Sequence, residues 1–505
     1  MSRPQRLALF FLLVVVGSAD AQRTKSFADL KGFDEWVTAT MANWHVPGVA
    51  VGAIKDGQVV LARGYGVRDV EQKLPVTSQT VMAIGSNSKS FTVVLMGMLV
   101  DEKKLAWDST VRSYLPDFQM YDEFATSEMT PRDLVTHRSG LPRHDNLWYG
   151  RPFTREQLYQ RLRFLRPSAS FRSRYQYQNL MFMTAGYLTE KLTGKSWDEQ
   201  IRERIFEPLK MTRSGTLARE ITSSGDFSFP YVWRNDSLVK LPFRNIDAVG
   251  PAGSINSNVD DMLKYIQFRL DRGVCNGKRL LSEANENQMQ APQMVSGGGP
   301  SEHAELGHST YGLGLGVSTY RGHKVVSHGG GIDGFISAMS WLPNDRIGVM
   351  VLTNMSGNNP VSNLVARNLY DRLLGLEQID WVARQKKSDA DFQARQAKQR
   401  EERLAERKQG TSPSHALSAY AGSYEHPAYG TLVVRVDGSD LMITLDPHQA
   451  KLRHFHYDVW EIQDPGGVVP FSGRLRFETG TKGEVDQALV PLEPSVGDIV
   501  FTRTR

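Results

Sequence analysis

The stretch "VMAIGSNSKSFTVVLMGMLVDEKKL", Val81 to Leu105, constrains this chain more than any other. From Phe91 onward it reads as a helix apolar on nearly every face, and such a helix must be buried. Its start breaks the pattern, because Ser86, Ser88 and Lys89 place two hydroxyls and an ammonium where the core helix opens. Residues three apart share a helix face, so Lys89 is expected one turn from the Ser86 hydroxyl. Serine is a weak nucleophile at neutral pH and needs an adjacent base, a task that a desolvated lysine can perform. The positive end of the helix would also favour a developing oxyanion.

Strand-like segments flank this helix at a distance. "GVAVGAIKDGQVVLARGYG" reads as a hairpin about Asp56-Gly57. "YGLGLGVSTYRGHKVVSHGGGIDGFISAMSWLPNDRIGVMVLTN", Tyr311 to Asn354, has period-two alternation and a turn at Pro343-Asn344-Asp345. Strands at both ends of a mostly helical block, from Asp108 to about Arg244, imply one sheet assembled from distant segments with helices on its faces. The punctuation in between is clear. Thr130, Pro131 and Asp133 form a capping-box signature, and Gly194 stops a helix before another that Pro208 ends.

At 505 residues the chain exceeds one core. Arg384 to Lys408 carries nine basic and five acidic residues without a wide apolar face, and reads as a solvated connecting helix within a linker, 384–413. "GTSPSHAL" marks a boundary, and 414–505 is strand-rich, with turns at Asp437-Gly438 and Pro465-Gly466-Gly467. A small β-barrel or sandwich is expected there.

The N-terminus carries Arg3 and Arg6, an apolar run from Leu7 to Val16, and Ala19-Asp20-Ala21. Ten helical residues span about 15 Å, short of the roughly 30 Å hydrocarbon core, so residues 1–21 read as a signal peptide cleaved after Ala21. The expected location is periplasmic or secreted, without stable membrane insertion. Residues 22–383 then form the main domain. The one cysteine, Cys275, excludes an intramolecular disulfide and a thiolate metal cluster. A net charge of +5 without a basic face gives no case for nucleic acid.

Ser-x-x-Lys alone is a weak signal, and Ser237 with Lys240 supplies a second copy in a polar stretch. Two further fragments favour the first copy: Tyr177-Gln178-Asn179, and His328-Gly329-Gly330 within "VVSHGGGIDGF". In this order the three resemble the motifs of the class C β-lactamase-like, penicillin-recognising serine hydrolases, which include D,D-carboxypeptidases, D-amino-acid peptidases and esterases. "PRDLVTHRSGLP", "IFEPLKM" and "GPAGSINSNVDDMLKY" add to a resemblance running from about Val46 to Asn354. The resemblance implies an α/β fold of the α+β sandwich kind, an antiparallel sheet flanked by helices plus an all-helical subdomain. The C-terminal segment is similar to the lipocalin-like β-domain often appended to such enzymes.

The resemblance also assigns roles. Ser86 would be the acylated nucleophile, with Lys89 and Tyr177 as the proton-handling pair, either one the base. Asn179 would hold Lys89 and the substrate amide. His328 stands where many members have lysine, and a neutral imidazole offers less charge to a substrate carboxylate. Gly329 and Gly330 would let substrate approach the strand edge, and the backbone N–H groups of Ser86 and Gly331 would form the oxyanion hole. No cofactor is implied.

Peptides are the first substrate expectation, D- and unusual residues included. A carboxylesterase or β-lactamase on the same scaffold is the alternative, and a non-catalytic, acylatable envelope sensor is the alternative of another class. The β-domain could bind a hydrophobic ligand of its own, and self-association through it is left open. Gly312 to Gly316 fits a close-packed strand better than a nucleotide loop. His454 and His456 lack a carboxylate at ligand spacing, so no metal is expected. The absence of Gly-x-Ser-x-Gly argues against an α/β-hydrolase.

Overall fold

The computed structural model describes residues 30–297, 301–463 and 471–504. The N-terminal leader segment and the Pro465-Gly466-Gly467 turn lie outside them. The first domain is built on a sheet that is nine-stranded among the described residues. Its central strands are β1 (Gly48–Lys55), β2 (Gln58–Asp69), β3 (Gly316–Tyr320), β4 (His323–Ile332), β5 (Phe335–Leu342) and β6 (Ile347–Thr353). β1 pairs antiparallel with β6, Val51 opposite Val351, so the two ends of the domain meet in mid-sheet as the separated strand patterns required. Asp56 and Gly57 turn the first hairpin with φ of 51° and 80°, the left-handed pair that suits strand twist.

Alternation along β1 sends Val49 and Val51 to one face and Ala50 and Ile54 to the other. The first face is covered by α1 (Phe33–Asn43) and α5 (Val361–Leu374). The second is covered by α2 (Ser88–Asp101) and α4 (Val259–Leu270), with α3 (Asn179–Thr193) packed beyond α2. Every side chain from Ser88 to Leu99 is buried, which explains why α2 is apolar all round.

The segment between α2 and α4 is less helical than its pattern suggests. The Thr130–Asp133 capping box forms, but Tyr231–Arg234 and Ser237–Lys240 make an antiparallel hairpin. Asn235 and Asp236 turn it with φ of 50° and 54°. Gly312 to Leu315 is likewise a turn instead of a strand. There Gly314, at φ 68°, donates its N–H to the Val135 carbonyl and sits so close to α2 that a Cβ would lie 2.6 Å from Val93.

A 25-residue helix, α6 (Trp381–Ala405), with only Trp381 buried, leads to the second domain. That domain is a closed eight-stranded antiparallel barrel, β7 (Gly422–His426), β8 (Gly430–Asp437), β9 (Asp440–Leu445), β10 (His448–His456), β11 (Val459–Gln463), β12 (Arg474–Thr479), β13 (Val485–Val490) and β14 (Ile499–Arg503). Buried Tyr420, Tyr424, Trp460, Phe477 and Phe501 pack within it, in keeping with the narrow lumen of eight strands. Its core is continuous with that of the first domain. Among the described residues, no helix is long and apolar enough to cross a membrane.

Candidate active site

Ser86 lies on a 3₁₀ turn, Gly85–Asn87, and α2 proper opens only at Ser88. The tight turn brings the backbone against β4. A Cβ on Gly85 would lie 2.6 Å from the Gly331 nitrogen, and one on Gly330 would lie 1.9 Å from the Ile84 oxygen. Glycine at both positions allows the serine turn and the strand edge to touch. Within Val81–Ser90 only Ser86 is partly exposed. Ser88, fully buried, donates to the Gly85 carbonyl and accepts from Ile255 N–H, so it braces the turn.

Lys89 is fully buried one turn further on. Its Nζ lies 3.0 Å from Ser86 Oγ, 2.8 Å from Asn179 Oδ1 and 2.8 Å from the carbonyl oxygen of Ala252. Desolvation drives its pKa well below the ordinary lysine value, and the nearby Arg143 cation adds to that shift while Asp145 opposes it.

Tyr177 stands just before α3, whose N-terminus Gln178 caps through Leu180 N–H, and the Tyr177 ring centroid is 4.7 Å from Lys89 Nζ. Burial raises its phenol well above the ordinary range, a hydrogen bond with Ser86 opposing in part. Two pairs about 90 residues apart in sequence, Ser86 with Lys89 and Tyr177 with Asn179, thus converge on one point.

His328, on β4, sits 6.3 Å from Tyr177 between ring centroids. Both ring nitrogens are occupied: Nδ1 donates to its neighbour's carbonyl, Gly329 O, at 2.6 Å, which leaves Nε2 to accept from Tyr311 Oη at 3.0 Å. Burial, followed by repulsion from Lys89, lowers its pKa to about 3. The ring is therefore neutral and packs against buried Tyr311, whose other side meets buried His137. Gly329 has space around it, and Gly331 faces a cavity of about 260 Å³ together with Ser86 and Asn179.

That cavity has a wall the motifs did not reveal. Asp145 accepts from Asn179 Nδ2 at 3.1 Å, from Trp148 Nε1 at 3.0 Å and from Arg143 Nε at 2.5 Å. It therefore holds the amide that holds Lys89. Opposite, Asp333 is paired with Arg244 at 2.7 Å, and burial raises its pKa to about 6. Neither aspartate carries a motif; "RHDNLW" beside the family-like "THRSGLP" was the available hint. Ser237 and Lys240, by contrast, lie on the remote hairpin, where Ser237 donates to Arg234 O. Among the described residues no group of three or more His, Cys, Asp or Glu is placed to hold a metal ion.

A buried lysine against a serine at the mouth of a sheet–helix cleft, with a tyrosine and a glycine-rich strand edge alongside, defines a serine hydrolase of the β-lactamase and penicillin-binding protein type. The chain belongs to the Beta-lactamase family, whose model matches residues 33–373. Residues 406–503 match a domain of unknown function, DUF3471.

An unguisins hydrolase of Aspergillus campestris is 31% identical over 92% of this chain and 90% of its own length. A D-aminopeptidase of Brucella ovis is 29% identical over 65% of this chain and 60% of its own. Among solved structures, an octameric penicillin-binding protein homologue from Pyrococcus abyssi aligns over 94% of this chain and 100% of its own, with 24% identity and a TM-score of 0.60. A D-amino acid amidase from Ochrobactrum anthropi aligns over 69% and 98%, with 21% identity and a TM-score of 0.58.

Proposed function

We propose that this serine hydrolase cleaves peptide or amide bonds through an acyl-enzyme on Ser86, with peptides containing D- or unusual residues as its substrates. The observation that carries the mechanism is the environment of Lys89 Nζ. A neutral amine has two N–H donors and one lone pair. Asn179 Oδ1 and Ala252 O, each at 2.8 Å, take the donors, and Ser86 Oγ at 3.0 Å faces the lone pair. Lys89 then removes the Ser86 proton as the hydroxyl attacks the carbonyl. Tyr177, whose raised pKa keeps it a phenol, gives its proton to the leaving nitrogen and takes back the one that Lys89 removed from Ser86. The Ser86 and Gly331 N–H groups receive the oxyanion, each such donor being worth about 3–4 kcal/mol. Water then releases the acyl group by the same proton path.

The peptide reading is supported by the names of the relatives, an unguisins hydrolase and a D-aminopeptidase. The N-terminal leader pattern supports export, and N-terminal sequencing of the secreted protein tests it. A fluorophosphonate probe followed by mass spectrometry tests the nucleophile: label on Ser86, absent from Ser86→Ala, is expected. A panel of D- and L-peptide amides beside esters and nitrocefin tests the substrate. Multiple turnovers on peptides support the reading. Cleavage of esters alone would remove it, and one equivalent of product per chain would mark an acylated sensor.

A further inference from the structure

We propose that the groove between the catalytic cavity and the barrel is a subsite for an extended peptide, holding the part of the substrate remote from the scissile bond. The proposal rests on the peptide-hydrolase reading and adds a length requirement to it.

Two cavities adjoin here. The one at Ser86 measures about 260 Å³, and the one at the domain boundary about 570 Å³. They share Trp148, Ile246 and Val249, so the two cavities border the same three side chains. The first alone falls below the roughly 300–1,000 Å³ of small-molecule sites, whereas the adjoining one lies within that range. The Ser86 cavity can seat the residues at the cleaved bond, and the rest of a longer chain has one adjoining space to enter.

The second cavity has a wall from each domain. The hydrolase domain supplies Phe153 and Ala248, and the barrel supplies the Asp446-Pro447 turn. This geometry is fixed by hydrogen bonds across the boundary. His448 Nε2, beside that turn, meets Tyr149 O at 2.9 Å, and Arg151 Nη2 donates to Tyr429 O at 2.7 Å. The barrel is therefore held where its turn can close the groove.

The chemistry suits a peptide. Apolar surfaces from Trp148, Phe153 and Pro447 alternate with Arg151, Asp247 and Asp446, both charge signs being present. A chain carrying carbonyls, N–H groups and apolar side chains matches such a lining better than a small ester does. Binding energy collected there, away from the reacting atoms, can be used to lower the barrier at Ser86.

The test is kinetic. Alanine peptides from dipeptide to hexapeptide, with a D-residue at the cleaved bond, are lengthened separately on each side of it. For the wild-type protein kcat/KM is expected to rise about tenfold or more with length on one side. Ala248→Trp and Asp446→Trp fill the groove from opposite walls, and each should bring the hexapeptide-to-dipeptide ratio close to one. Fluorophosphonate labelling of Ser86 verifies that each variant is folded. A flat length series, or a ratio that neither variant changes, overturns the subsite and leaves the peptidase reading standing. Failure to cleave any peptide, with Ser86 still labelled, removes both.

Discussion

Lys89 Nζ lies 3.0 Å from Ser86 Oγ and, among the described residues, shares no ion pair with a carboxylate; its other two hydrogen-bond partners are the neutral oxygens of Asn179 and Ala252. A buried ammonium in such surroundings is costly, and the amine form is favoured. Lys89→Met keeps the volume and removes the base. Acylation should slow by about 10³-fold, within the usual range for general base catalysis. The two orphaned oxygens should also cost about 1–3 kcal/mol each in stability. Stopped-flow acylation and urea denaturation read the two effects separately. Wild-type acylation in the variant would refute the assigned base.

The pH profile follows from the same groups. Lys89 must be neutral to act, so kcat/KM rises as pH rises through its depressed pKa, far below the ordinary lysine value. Tyr177 keeps its proton, so no alkaline limb is expected below the ordinary tyrosine range. Asp333, with a pKa of about 6, lines the cavity and loses its charge opposite Arg244 as pH falls through that value. A second acid limb near pH 6 should follow, and Asp333→Asn should bring activity at pH 7.5 down to what the wild type shows below that limb. An unchanged profile in Asp333→Asn would rule Asp333 out.

The two glycines after His328 should differ sharply. A methyl on Gly330 would meet the Ile84 oxygen at 1.9 Å and Ser337 Oγ at 2.4 Å, with backbone on one side that cannot yield. On Gly329 the nearest atom would be Ser337 O at 3.8 Å, an ordinary contact. Gly330→Ala should cost about 1–3 kcal/mol and shift the Ser86 turn, whereas Gly329→Ala should melt close to the wild type. Calorimetry distinguishes them, and equal melting temperatures would contradict the close approach of turn and strand.

These results mark what the sequence could reveal. Ser86, Lys89, Tyr177 and Asn179 were legible because each belongs to a spaced motif, and the split sheet because alternating strands flanked a helical block. Asp145 was not legible: its role comes from a loop folding onto Asn179, and no local pattern encodes that. The Tyr231–Lys240 hairpin had a signal, Asn235-Asp236 between alternating residues, that the surrounding helical punctuation masked. The Gly312 to Gly316 run illustrates the ambiguity of glycine, where close packing was correctly read but the element was a turn. The contact of barrel and active-site loop was beyond reach, because it joins residues some 280 to 350 positions apart.

That contact yields the last prediction. His144, beside Asp145, donates its backbone N–H to Glu493 Oε2 at 2.8 Å. Its ring Nε2 donates to Arg166 O at 3.0 Å, so Nδ1 accepts from Tyr429 Oη at 2.8 Å. Asn146 Nδ2 donates to Leu492 O at 2.7 Å. The residues on either side of Asp145 are thus fastened to the barrel, while Asp145 itself reaches Asn179 and, through it, Lys89. Loosening the barrel contact should reach the catalytic amine along that path. Glu493→Ala leaves the buried His144 N–H without its acceptor, at about 1–3 kcal/mol. Hydrogen exchange should accelerate across residues 143–151, and kcat should fall more than KM rises, because Lys89 is misplaced in the bound complex. Tyr429→Phe should do the same more weakly, removing one hydroxyl donor. If exchange quickens only in the barrel strands and kcat is untouched, the barrel packs against the active-site loop without positioning it.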